Sequence, residues 1–147
     1  MESGSYVLGE ETQLFESEYA AYCGTNYCVG VSNGLDALHL ILRALGIGVG
    51  DEVLVPSNTF IATWLAVTYS GAKPVPVEPD IKTRNIDPAQ IEKAITPNTR
   101  AIIPVHLYGQ PADMDPIMQI AEKYRLCVIE DSAQAQGALY KGRKTGS

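Results

Sequence analysis

Short apolar runs that end abruptly in polar or charged residues, separated by segments of helical periodicity, constrain this chain more than any other feature. "YCVGVS" (27–32), "DEVLVPS" (51–57), "KPVPVEPD" (73–80), "TRAIIPVHLYG" (99–109) and "LCVI" (126–129) each read as a strand. Most are unbroken by polar residues, the pattern of strands covered on both faces. Helices are predicted between most of them, at 11–23, 33–46, 59–71, 87–95 and 113–125. In the first, Leu14, Phe15, Glu18, Tyr19 and Tyr22 recur at helical spacing; in the second, Leu35, Leu38, Leu42 and Leu45 share one side. Gly24, Gly46 and Gly71 are predicted stops, and Asp87 followed by Pro88 reads as an N-cap with proline in the first turn. Pro74 and Pro76 suit an edge strand or a strand start. Strands alternating with helices predict an α/β fold, a mostly parallel sheet with helices on both faces. The final "YKGRKTGS" reads as a polar loop.

A chain of 147 residues, 46% apolar and 19% charged, has the size and composition of one ordinary soluble domain. No apolar run approaches the roughly 18 residues of a membrane span, so no membrane partner is expected. The acidic start "MESGSYVLGEETQLF" lacks a signal peptide's basic and apolar regions. The net charge is −6 with scattered Lys and Arg, which argues against nucleic acid. Cys23, Cys28 and Cys127 form no C-x-x-C and no even set, so the expectation is buried thiols in a reducing cytoplasm. With His39 and His106 the only histidines, no metal site is expected.

Ligands of open parallel sheets bind outside the carboxyl ends of the strands. The residues to weigh are therefore those at 32–35, 56–60, 78–80, 106–110 and 130–134. "VSNGLDAL" puts Ser32, Asn33 and Gly34 at a helix start, where free N–H groups bind anions and glycine lets a phosphate approach. The alternative is that Ser32 or Asn33 merely caps the helix. Asp36, in the first turn, must point away or be neutralised for a phosphate to sit there. Neither a G-x-G-x-x-G fingerprint nor a Walker lysine motif is present, which excludes the common dinucleotide and nucleoside-triphosphate sites.

Phe60 either stacks on a planar ligand or belongs to the core, and Trp64, four residues on, reads as packed on the same helix face. "LCVIEDSAQAQGA" runs from a buried strand straight into Glu130 and Asp131. A buried carboxylate needs a partner. Asp131 caps a turn and Glu130 is solvated in one reading. In the other, Asp131 meets a cationic ring nitrogen and keeps it protonated, which makes the ring of pyridoxal phosphate a strong electron sink. Gln134 would then hydrogen-bond a ring substituent. Phosphate at Gly34, ring against Phe60 and nitrogen on Asp131 would together hold such a cofactor.

The ordered segments "VSNGLDALHLILRALGIGVGDEVLVPSNTFIAT", "AIIPVHLYGQPADMD" and "VIEDSAQAQGA", within a match that starts at "SYVLGEETQLFESEYAAYCG", resemble the DegT/StrS-type nucleotide-sugar aminotransferases. "SNGLDAL", "VEPD" and "VHLYGQPADM" look most like the branch that aminates the 3-keto group of dTDP-linked 3-keto-6-deoxyhexoses. The resemblance implies the large domain of an aspartate-aminotransferase-like (fold type I) enzyme dependent on pyridoxal 5'-phosphate. It implies cofactor-phosphate contacts from the backbone of Gly34 and Leu35, a ring face covered by Phe60, a pyridine nitrogen paired with Asp131, and Gln134 on the ring's oxygen side. It also implies a homodimer with active sites at the subunit interface, glutamate as the amino donor, and a nucleotide sugar as acceptor.

The resemblance further implies that 1–147 is an incomplete large domain without its small C-terminal domain, and that no catalytic residue lies within it. The family's Schiff-base lysine falls after "GRKTG", beyond Ser147, and the usual serine of the phosphate site is missing as well. Lys73, Lys82, Lys93, Lys123, Lys141 and Lys144 match none of the lysine's contexts. The chain alone is expected not to turn over. Two alternatives stay open: a sugar dehydratase with histidine at the lysine position, and a truncated, non-catalytic binding protein.

Overall fold

The computed structural model describes Gly4, Val7 and residues 9–147; Ser5, Tyr6 and Leu8 of the matched opening, and the acidic first residues, lie outside the described residues. Strands β1 (Glu52–Pro56), β2 (Lys73–Val77), β3 (Thr99–Ile102) and β4 (Cys127–Val128) form one parallel sheet in the order β2-β1-β3-β4. Leu54 aligns with Val75 on one side and Ile102 on the other. Of the two positions its prolines suit, β2 takes the edge, where a missing N–H leaves no gap in the ladder.

Val53, Leu54 and Val55 are fully buried because both faces of β1 are covered. Val53 and Val55 point with Ala101 and Ile103 toward α2 (Gly34–Ala44) and α3 (Ile61–Tyr69), meeting Leu38, Leu42, Ala66 and Val67. Leu54 and Ile102 point toward α4 (Pro88–Ala94) and α5 (Met114–Tyr124), meeting Ile91, Ile117 and Ala121. The period-2 pleat thus feeds two separate cores, and each buried Val, Leu or Ile contributes about 1.5–3 kcal/mol.

Local signals set the helix ends. Asn33 caps α2, Asp87 caps α4 with Pro88 behind it, and Gly24, in the left-handed region at φ 82°, closes α1 (Glu10–Cys23) by donating to the Ala20 carbonyl. Gly46 and Gly71 follow α2 and α3 with positive φ. At the amino end of β1, Glu52 accepts from Thr96 Oγ1 (2.5 Å) and Lys73 Nζ (2.9 Å). The Thr96 and Lys73 hydrogen bonds hold its carboxyl below the usual range despite burial.

Three expectations change. Residues 27–32 form no strand: no described strand lies alongside, Tyr27 and Val29 are exposed, and the Gly30 N–H donates to Glu16 Oε1 (2.7 Å) instead of to a ladder. The aromatic stripe of α1 is largely uncovered, with Leu14, Phe15 and Tyr22 exposed and only Ala20 buried. The polar tail is a short antiparallel hairpin, β5 (Leu139–Tyr140) with β6 (Arg143–Lys144), in which Lys141 and Gly142 both take positive φ at the turn.

Candidate active site

All strands of a parallel sheet deliver their following residues to one edge. At that edge a cavity of about 480 Å³ opens between the start of α2, the approach to α3 and the segments after β3 and β4. Gly34, Leu35, Phe60, Asp131 and Gln134, the five residues singled out above, all line it. Four of the five strand-end segments contribute residues; 78–80 does not. There Asp80 folds back to accept from the Lys82 and Thr83 N–H groups (2.8 and 2.9 Å), which lower its carboxyl below the usual range.

At the start of α2 the capping and anion readings coexist. Asn33 Oδ1 accepts from the Asp36 N–H (2.9 Å) and the Asn33 carbonyl from the Ala37 N–H (3.1 Å). The two remaining first-turn donors, the N–H groups of Gly34 and Leu35, have no acceptor among the described residues. A Cβ built on Gly34 would meet no atom within 4 Å, and both Gly34 and Leu35 line the open cavity. The Asp36 carboxylate is folded onto its own turn, accepting from Ser32 Oγ and from Asn33 Nδ2 (3.0 Å).

Phe60 is the N-cap residue of α3, with extended dihedrals (φ −62°, ψ 144°); it lines the cavity and the residue is 70% exposed, which removes the core reading. Because it precedes the helical turn, it does not share a face with Trp64. Trp64 packs against the first core, as expected, and its indole N–H donates to the Pro56 carbonyl (3.3 Å).

Asp131 follows β4, its backbone tied to the segment after β3: its N–H donates to the Pro104 carbonyl (2.9 Å) and its carbonyl accepts from the His106 N–H (3.0 Å). Oδ1 accepts from the Ala133 N–H (3.2 Å), the turn-capping role anticipated for it, and Oδ2 accepts from Thr63 Oγ1 (2.9 Å). Gln134 Oε1 accepts from the Tyr108 N–H (2.9 Å), while its NH₂ has no acceptor among the described residues. Tyr108 adopts a left-handed conformation (φ 58°, ψ 28°) that presents this N–H, a strained arrangement for a non-glycine residue.

Glu130 is half-buried and paired rather than left to solvent. Its Oε2 lies 2.8 Å from Nε2 of the fully buried His106 and also accepts from the Gly146 N–H (3.0 Å). His106 Nδ1 accepts from the Ala112 N–H (2.9 Å), so the hydrogen-bond pattern assigns the ring proton to Nε2, donated to Glu130. Burial pushes the Glu130 carboxyl up, but the bonds from His106 and Gly146 outweigh it and leave it below the usual range. Sequence reasoning missed both this pair and Thr63. The T-x-x-x-T spacing of Thr59 and Thr63 hinted at a shared helix face, but nothing local pointed 68 positions ahead to Asp131.

The three cysteines are free and half-buried rather than buried. Among the described residues no group of His, Cys, Asp and Glu is placed to hold a metal, and no helix is long and apolar enough to cross a membrane.

A helix start with free N–H groups, an exposed aromatic residue and a carboxylate thus stand around one cavity of an α/β layer, chemistry that can accept an anion, a planar ring and a hydrogen-bond donor. The chain belongs to the DegT/DnrJ/EryC1/StrS aminotransferase family, whose model matches residues 1–147. It is 58% identical over 147 residues to the dTDP-3-amino-3,4,6-trideoxy-alpha-D-glucose transaminase of Streptomyces venezuelae, covering 100% of this chain and 39% of that protein. It is 61% identical over 147 residues to the dTDP-3-amino-3,6-dideoxy-alpha-D-galactopyranose transaminase of Aneurinibacillus thermoaerophilus, covering 100% of this chain and 40% of that one. Among solved structures, S. venezuelae DesV superposes with a TM-score of 0.98 at 58% identity, covering 99% of this chain and 39% of that chain. The aminotransferase from Psychrobacter cryohalolentis superposes at 0.93 with 48% identity, covering 96% of this chain and 36% of that one. The fold is that of the fold type I aminotransferases, and the chain spans about two fifths of the length of these relatives.

Proposed function

We propose that residues 1–147 form the cofactor-binding part of the large domain of a nucleotide-sugar aminotransferase. The enzyme would use pyridoxal 5'-phosphate, work as a homodimer in the cytoplasm, and move an amino group from glutamate to the keto group of a nucleotide-linked deoxysugar. The net reaction converts C=O to CH–NH₂ on the sugar and glutamate to 2-oxoglutarate. The observation that carries this reading is the convergence of Gly34, Leu35, Phe60, Asp131 and Gln134 on one cavity within a chain of this family. The free thiols support a reducing compartment.

The residues fit the cofactor feature by feature. The unpaired N–H groups of Gly34 and Leu35 and the open space before Gly34 suit a phosphate. The exposed ring of Phe60 suits a planar heterocycle. Asp131, anchored through its backbone, offers a carboxylate to a ring N–H, and opposite charge keeps such a nitrogen protonated. Gln134, fixed through Oε1, turns its NH₂ toward a ring oxygen as a neutral donor. When bound, the cofactor supplies an electron sink for bond breaking at the amino-bearing carbon. The reactive lysine is proposed to lie beyond Ser147, outside these residues.

The test is to supply the whole protein that carries this chain with pyridoxal phosphate, glutamate and a dTDP-linked 3-keto-6-deoxyhexose, and to follow 2-oxoglutarate and amino sugar together. Equimolar appearance of both supports the reading. Loss of a sugar hydroxyl without amination would replace it with the dehydratase reading, and no turnover with any keto sugar would overturn it.

A further inference from the structure

We propose that Thr63, with Thr59 behind it, is a positioning residue that aims the Asp131 carboxylate at the cofactor's ring nitrogen and locks it in register with the Phe60 ring. The inference rests on the reading of Asp131 and Phe60 given above. Thr63 is 1% exposed, and its Oγ1 lies 2.9 Å from Asp131 Oδ2 and 3.1 Å from Thr59 Oγ1.

The direction of this chain follows from chemistry. An ionised carboxylate only accepts, so the single Thr63 hydroxyl hydrogen goes to Asp131. Thr63 oxygen is then the acceptor for Thr59, whose hydrogen is committed in turn. The Asp131 backbone is already held by Pro104 and His106, which leaves side-chain rotation as its main freedom. Thr63 restrains it, together with the Ala133 N–H on Oδ1: turning the carboxylate away would give up both hydrogen bonds.

The same turn connects the carboxylate to the aromatic. Thr59 and Phe60 immediately precede α3, and the Thr63 N–H donates to the Phe60 carbonyl (3.2 Å). "TFIAT" thus places the ring-facing residue and the carboxylate's anchor within one helical turn. The two groups proposed to grip the heterocycle, on its face and at its nitrogen, belong to one hydrogen-bonded unit. A support shell of this kind keeps a contact group within the narrow angular range it needs.

The experiment uses the whole protein loaded with pyridoxal phosphate labelled with ¹⁵N in the ring, in five forms: wild type, Thr63→Val, Thr63→Ser, Asp131→Asn and the Thr63→Val/Asp131→Asn double variant. Readouts are the ring ¹⁵N shift, the cofactor Kd and the melting profile. Thr63→Val is expected to move the ¹⁵N signal toward the unprotonated position and to weaken binding by on the order of tenfold, whereas Thr63→Ser stays within about twofold of wild type. In the Asp131→Asn background, Thr63→Val should have no further effect on the signal, because Thr63 acts through Asp131. A wild-type signal and Kd for Thr63→Val, or an undiminished effect in the double variant, overturns the inference. A wild-type signal for Asp131→Asn overturns the Asp131 reading itself, a separate failure. If Thr63→Val does not fold, Thr59→Val removes the donor behind Thr63 and is expected to shift the signal in the same direction by less; no shift there overturns the inference.

Discussion

His106 and Glu130, 24 positions apart, meet at 2.8 Å between Nε2 and Oε2, and this pair welds the segment after β3 to the residue beside Asp131. The imidazole is fully buried and its second nitrogen is occupied by the Ala112 N–H, so both ring nitrogens are satisfied. His106→Ala therefore orphans an N–H and removes the donor to a largely buried carboxylate. We expect a loss of about 2–4 kcal/mol in folding stability, measured by denaturant unfolding of the whole protein.

The same pair gives a pH dependence with a definite sign. Glu130's carboxyl is lower in the folded state than in the unfolded chain, so its contribution is present above about pH 4.3, the ordinary glutamate value. It fades as the pH falls through the lowered folded value. Glu130→Gln should flatten that part of the acid limb in a plot of stability against pH. An acid limb identical to wild type in the variant would disprove the assignment.

Gly34 needs neither a left-handed backbone nor a close neighbour, since its φ is ordinary and a Cβ would meet nothing within 4 Å. Gly34→Val should thus leave the fold intact, but crowd the space before the free N–H groups. Cofactor affinity, measured by equilibrium dialysis of pyridoxal phosphate against the whole protein, is expected to fall by on the order of tenfold, the equivalent of about 1.4 kcal/mol.

Asp131→Ala removes the charge proposed to keep the ring nitrogen protonated. Turnover of the whole enzyme should drop by at least about a hundredfold. Near-normal turnover in that variant would refute the proposed role.

Phe60 is 70% exposed, so its truncation removes little from the core. For Phe60→Ala the stability of the cofactor-free protein should change by no more than about 0.5 kcal/mol, while cofactor binding weakens; Phe60→Tyr should retain it. Calorimetry with and without pyridoxal phosphate separates the two effects.

The sequence by itself determined whatever depends on near neighbours. The capping of α2 by Asn33 and of α4 by Asp87 and Pro88, the closure of α1 at Gly24, and the edge position of β2 are written in residue types a few positions apart. The strand-end rule then gathered Gly34, Leu35, Phe60, Asp131 and Gln134 at one edge, because parallel strands all point their carboxyl ends the same way. Tertiary structure alone decided the pairings. "YCVGVS" has the composition of a strand, but a strand exists only where a neighbour offers a ladder, and none of the described strands does. Trp64 and Phe60 are four apart, yet one packs in the core and the other faces the cavity, since the helix begins between them. Glu130 is met by His106, and Asp131 by Thr63, across 24 and 68 positions. A hydrogen bond reaches about 3 Å, and only the folded sheet brings such distant groups that close.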